Sequence, residues 1–202
     1  MSGPLDLMER WLRKGSQWAE NAAVVIDYAH YESHKGATFR TGSLITGVAD
    51  DGQTNLLFWN PLGADGKEAH IAIEVLGGGR AFAHLYEGIT IQATGTYVEP
   101  VRLNRRIQRE GVRAASQWKS AYGAAIKTLG TKLGAAFIPG STGTNPNAAR
   151  GAGDVRTGLE WAFDPNYAYL IVVHNDSGAT VPFSITLEYY EETPDELGEQ
   201  VP

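Results

Sequence analysis

Apolar and polar positions alternate most strictly in two stretches of this chain. Ile71, Ile73 and Val75 alternate with Ala72 and Glu74, and Phe183, Ile185, Leu187 and Tyr189 alternate with Ser184, Thr186 and Glu188. Successive side chains of a strand point to opposite faces, so each pattern predicts a half-buried antiparallel strand with the first-named residues on the core. Shorter apolar or alternating runs predict further strands near Leu44 to Val48, Leu56 to Trp59, Arg80 to Tyr86, Thr90 to Tyr97, Gly158 to Phe163 and Tyr167 to Asn175. The β-branched and aromatic texture starts at Ala22, with Val24-Val25-Ile26-Asp27-Tyr28. Asn175-Asp176-Ser177-Gly178 predicts a hairpin between the last two long strands. Short strands with turns at this spacing predict an all-β fold, an antiparallel two-sheet jelly-roll-like sandwich with long irregular loops.

One segment has helical spacing instead. From Pro4 to Lys14 the apolar residues Leu5, Met8, Trp11 and Leu12 recur at three and four positions, with Ser2 or Gly3 as cap and Gly15 as stop. The expected organisation is an N-terminal arm over residues 1–21 carrying this short amphipathic helix, a β-sandwich domain over 22–191 and an acidic C-terminal tail over 192–202. The apolar stripe of the arm suits a groove on a partner, and it suits equally a fold-back onto the sandwich.

Two stretches break the strand rhythm. Between Arg102 and Lys119 stand Arg102, Arg105, Arg106, Arg109, Arg113 and Lys119 against a single acid, Glu110, and Thr128 to Gly158 carries seven glycines with Pro139 and Pro146. The second reads as a long irregular connection, of a kind that compact domains keep for binding.

Composition narrows the picture. With 24 glycines and 9 prolines in 202 residues, punctuation favours short strands. Cysteine is absent, which excludes disulfide frameworks, thiolate zinc sites and cysteine nucleophiles. The longest apolar run, Tyr167 to Val173, is too short to span a bilayer, and Met1 to Gly15 holds no unbroken apolar stretch, so a soluble, unsecreted chain is expected. The net charge of −6 is matched by Glu188, Glu191, Glu192, Asp195, Glu196 and Glu199 near the C-terminus, leaving a neutral body. Arginine suits phosphate, and Trp118 and Tyr122 stand nearby for stacking on bases, but a neutral body with an acidic tail turns the arginine segment toward carboxylates of a protein partner. No contact with nucleic acid or membrane is expected.

Candidate chemistry is sparse. His30, Glu32 and His34 would share one face of a strand, yet their spacing is not that of a cupin metal site, and they read as surface or turn residues. Gly77-Gly78-Gly79 follows a predicted strand and precedes another, which reads as a tight turn rather than a phosphate cradle. No Gly-x-Ser-x-Gly elbow occurs. The expectation is therefore not an enzyme, with no catalytic residue, metal or cofactor.

Several segments carry a resemblance: Val25 to Gly36, Glu74 to Ala81, Leu85-Tyr86-Glu87-Gly88, Leu103-Asn104-Arg105, Gly158-Leu159-Glu160-Trp161, Tyr169-Leu170 and Glu188-Tyr189-Tyr190-Glu191. In this order the chain resembles the head decoration, or cement, proteins of tailed bacteriophages. It departs from them in Arg105 to Arg113, where the family carries a polar, Ser/Thr/Asn-rich stretch. The resemblance implies a virion protein on the capsid surface, made in the host cytoplasm, that bridges major capsid subunits as a homotrimer. Under that reading the contact residues toward the capsid or a neighbouring subunit are Leu5, Met8, Trp11, Leu12, Arg102, Arg105, Arg106, Arg109 and Arg113. A receptor- or glycan-binding virion domain is the alternative, since jelly rolls also serve as lectins.

Overall fold

A computed structural model describes residues 37–104, 115–139 and 161–192. Thirteen strands run through them: β1 (Thr38–Val48), β2 (Gln53–Trp59), β3 (Glu68–Gly77), β4 (Ala81–Glu87), β5 (Thr90–Ala93), β6 (Thr96–Val98), β7 (Val101–Arg102), β8 (Lys119–Tyr122), β9 (Ala125–Thr128), β10 (Thr131–Ile138), β11 (Trp161–Phe163), β12 (Ala168–Asn175) and β13 (Val181–Glu192). Helical structure among the described residues is one short turn, Gly63–Asp65. The helix expected over Pro4 to Lys14, the strand expected near Val24, and His30, Glu32 and His34 lie outside the described residues.

The strands form two antiparallel sheets. Sheet A has the order β11-β3-β13-β1-β7 and sheet B the order β10-β4-β12-β2-β8-β6. Eight of them, β1 to β4 and β10 to β13, make the sandwich proper. Each sheet then interleaves early and late strands, β1-β13-β3-β11 facing β2-β12-β4-β10, which is the double Greek key of a jelly roll.

The alternating residues fill the space between the sheets. Phe183, Ile185, Leu187, Ile71 and Val75 of sheet A are buried with Leu56, Phe58, Ile171 and Val173 of sheet B, and Ile73 packs against them. Aromatic rings concentrate at one end of this core. Trp118, fully buried, stacks on Phe58 at 4.7 Å, and Phe163 stacks on Tyr169 at 3.7 Å. A Trp118 so placed cannot stack on a nucleic-acid base.

The five strands inserted between β4 and β10 wrap the sandwich. β7 extends sheet A beyond β1, while β8 and β6 extend sheet B beyond β2. Thr41 of β1 donates to Ser120 Oγ of β8, which donates to Val98 O at 2.9 Å, joining the two sheets at this edge. β5 and β9 pair as a ribbon, and its Ile91 and Ile126 pack with Ile89 and Ala124 over Leu57, Leu170 and Val172 on the outer face of sheet B. Part of sheet B is thus covered by a third layer.

Four expectations are corrected. β12 and β13 are not a hairpin, for they belong to different sheets. The Asn175 amide donates to Val48 O, Ala49 O and Ala179 O at 2.7–2.9 Å, and these bonds hold a turn that crosses between layers. The strand expected over Thr90 to Tyr97 is two, broken at Gly95, whose φ of 80° lies in the left-handed region. The connection from Thr128 to Gly158 contains β10, whose small residues Gly134, Ala135 and Ala136 conceal its alternation. The acidic run does not begin a tail at residue 192: β13 continues to Glu192, and Glu191 and Glu192 are buried. The glycine triplet is a tight crossing from β3 to β4, as expected. A Cβ on Gly77 would meet the Phe183 ring at 2.5 Å, and one on Gly78 would meet Pro182 at 2.9 Å.

Candidate contact surface

Register places one row of side chains across the outer face of sheet B. Gln53 of β2 pairs with His174 of β12, His174 with Phe82 of β4, and Phe82 with Phe137 of β10. The next row runs Asn55, Val172, His84, Ala135. β4 reads Ala81-Phe82-Ala83-His84-Leu85-Tyr86, and here the small residues face inward. Ala81 and Ala83 are buried in the core, whose volume the bulky side chains of sheet A already fill, so the rings go out.

The ribbon of β5 and β9 and the turn before β9 reach Asn55 and Val172 of the second row and stop short of the first. Phe82 stays 40% and Phe137 53% exposed, with ring centroids 5.5 Å apart, so two large apolar rings stand open side by side. Basic groups flank them. Burial lowers the His84 pKa, and the neighbouring charges of Lys132 and His174 lower it further, so these three groups stand close together. The His84 Nδ1 is buried without a hydrogen-bond partner among the described residues. Flat, apolar and edged with bases, this surface suits contact with another macromolecule more than small-molecule chemistry.

A second cluster holds the ends of the arginine segment. On its N-terminal side, β7 pairs with β1, and Leu103 N donates to Thr38 O at 3.0 Å. Arg102 turns inward and is 6% exposed, its guanidinium 5.0 Å above the Phe39 ring, so a partner for this arginine already exists inside the chain. On the C-terminal side, Glu191 Oε1 accepts from Ser116 Oγ, from Gln117 N at 2.9 Å and from Trp118 N at 3.3 Å. Ser116 Oγ also lies 2.7 Å from the Tyr189 hydroxyl, and Trp118 Nε1 donates to Lys67 O at 2.8 Å. Burial pushes the Glu191 carboxyl above the usual carboxylate range, and the bonds from Ser116, Trp118 and Gln117 offset this only in part. Burial likewise raises the Tyr189 hydroxyl.

Of the contact residues read from sequence, Arg102 alone is described. Leu5, Met8, Trp11, Leu12, Arg105, Arg106, Arg109 and Arg113 lie outside the described residues. Sequence reading missed Phe82, Phe137, His84 and His174. The signal was present in β4, where large rings alternate with alanines, but an apolar ring is assigned to the core unless the volume opposite is known.

Among the described residues no three or more histidine or acidic side chains converge as metal ligands, and no helix is long and apolar enough to cross a membrane. No protein-family model and no curated protein matches the chain. Among solved structures it is similar to the Yersinia pseudotuberculosis-derived mitogen, at 9% identity and a TM-score of 0.28 over 77% of this chain and 86% of that one. It is also similar to tomato aspermy virus, at 10% identity and a TM-score of 0.30 over 97% and 96% of the chains. A third likeness is to broad bean stain virus, at 10% identity and a TM-score of 0.25 over 86% and 94%. The jelly-roll assignment rests on the strand order and not on these likenesses.

Proposed function

We propose that this chain is a structural virion protein that binds the outside of a bacteriophage capsid and stabilises the shell by bridging major capsid subunits. The observation that carries the reading is the open pair of Phe82 and Phe137, two large apolar rings side by side that the ribbon of β5 and β9 leaves uncovered on the outer face of sheet B. The ordered resemblance to decoration proteins, from Val25 to Glu191, supplies the capsid as partner. The arginine segment, pinned by β7 and by Glu191, fits carboxylates of the same partner.

The mechanism is linkage. A protein that binds only the assembled shell shifts the equilibrium toward it by mass action, and association as a homotrimer multiplies each weak contact. Three copies related by a three-fold form a closed ring of identical head-to-tail contacts.

The decisive experiment mixes the purified protein with empty capsids of its phage and measures co-sedimentation. Saturable binding that Phe82→Ser and Phe137→Ser together weaken supports the reading. Open aromatic rings also favour a second reading, a receptor- or glycan-binding virion domain. Binding to host cells or glycans, with none to capsids, would establish that reading instead.

A further inference from the structure

The terminal strands of sheets A and B are β6, β7 and β11, with three, two and three residues, and β10, with eight. β7 and β11 pair only with Phe39–Arg40 of β1 and Ala69–Ile71 of β3, so among the described residues parts of β1 and β3 are open as well, but β10 is the one terminal strand of these two sheets that is long. Very short edge strands are a common way to prevent unwanted pairing, and β10 lacks that protection. Its first half is blunted otherwise. Lys132 and the bulge between Lys132 and Gly134 spoil the ladder there. That leaves Gly134-Ala135-Ala136-Phe137-Ile138, regular, uncharged and paired among the described residues on one side only, with β4.

We propose that this five-residue stretch pairs antiparallel with the same stretch of a second copy about a two-fold axis through Ala136. Faces must match across an antiparallel pair, and Ala135 and Phe137 both point outward, opposite His84 and Phe82. Centring on Ala136 sets Phe137 against Ala135 of the partner copy, and Ile138 against Gly134. Each large side chain thereby meets a small one, and the Phe82–Phe137 rows of the two copies join into a continuous apolar strip. No charge opposes its like, because Lys132 lies outside the paired stretch and the two His84 side chains sit on strands flanking the joined pair.

Size sets the strength. A five-residue ladder with one ring row per copy falls below the ~1,200 Å² at which standard interfaces begin. Free copies therefore associate weakly and reversibly, and copies held side by side on a surface associate readily. This two-fold contact goes beyond capsid binding and is distinct from the three-fold association above, since its symmetry is different.

The absence of cysteine makes the test direct. Residues directly opposite across a ladder have Cα atoms about 4.5–5.5 Å apart, within disulfide range, and diagonal neighbours lie about 7–8 Å apart, outside it. Under mild oxidation the full chain with Ala136→Cys should give a covalent dimer on a non-reducing gel, and Ala135→Cys should not. A gel reads covalent pairs whatever larger assembly is present. Adding Phe137→Asp to the Ala136→Cys chain should abolish the dimer while circular dichroism stays β-rich. No dimer from Ala136→Cys, or equal dimer from both single variants, overturns the pairing.

Discussion

At the scale of single residues, the Glu191 carboxylate ties the end of the arginine segment to the last strand through one oxygen that accepts three bonds. Glu191→Ala removes the acceptor of Gln117 N, while Ser116 Oγ keeps Tyr189 and Trp118 N keeps Ser116 Oγ, and should cost about 1–3 kcal/mol in urea unfolding. Glu191→Gln keeps an acceptor oxygen and should cost less. The two also differ from the native chain in pH dependence. Burial raises the native carboxyl, so the folded chain holds this proton to higher pH than the unfolded chain, whose value is about 4.3. The resulting penalty is absent below that value, grows as pH rises through the native pKa and is complete above it. Between pH 4 and 7 the native chain should therefore lose stability relative to Glu191→Gln, as paired urea titrations at the two pH values would register. Core positions follow a simpler rule. Leu187 is fully buried, and Leu187→Asp, which buries an unpaired charge, should abolish soluble expression.

At the scale of elements, the crossing from β3 to β4 is set by close approach rather than by unusual dihedrals. Gly77→Ala should destabilise by about 1–3 kcal/mol because its methyl meets the Phe183 ring, and Phe183→Leu in the same chain should recover part of that loss in a double-mutant cycle. The long strands were legible from sequence because one face of each is apolar and the other polar: β3 and β13 carry the period-two pattern, and their named residues fill the core. What eluded sequence reading has a common cause. β10 has Gly134, Ala135 and Ala136 at its centre, which carry no pattern, and β4 sends its rings outward because the volume opposite is already filled. The turn after Asn175 uses residues that would suit a hairpin equally well, and long-range bonds such as those of the Asn175 amide to Val48 and Ala49 direct it across the layers. The resemblance named a partner, while the open ring row came from the fold alone.

At the scale of the whole molecule, the expected roles of arm and arginine segment can be tested separately. Deleting Met1 to Ser16 should leave a folded, β-rich protein that co-sediments more weakly with capsids; aggregation of the truncated chain would instead assign the arm to the core. Changing Arg105, Arg106 and Arg109 to Ala should weaken capsid binding, and the native chain should show no tight, salt-sensitive shift of duplex DNA, since phosphate contacts fade steeply with salt. The pairing of the first described strand with the last gives the molecule a mechanical direction. Thr38 lies opposite Tyr190 at one end of this ladder and Val48 opposite Val181 at the other, so the start of β1 and the end of β13 lie at the same end of the ladder. Tension between the termini unzips β1 from β13 one pair at a time, whereas tension between the N-terminus and a cysteine handle at Gly178 shears the whole ladder at once. In an optical trap the first geometry should yield at markedly lower force, so a load borne through both ends reaches the sandwich along its most compliant axis.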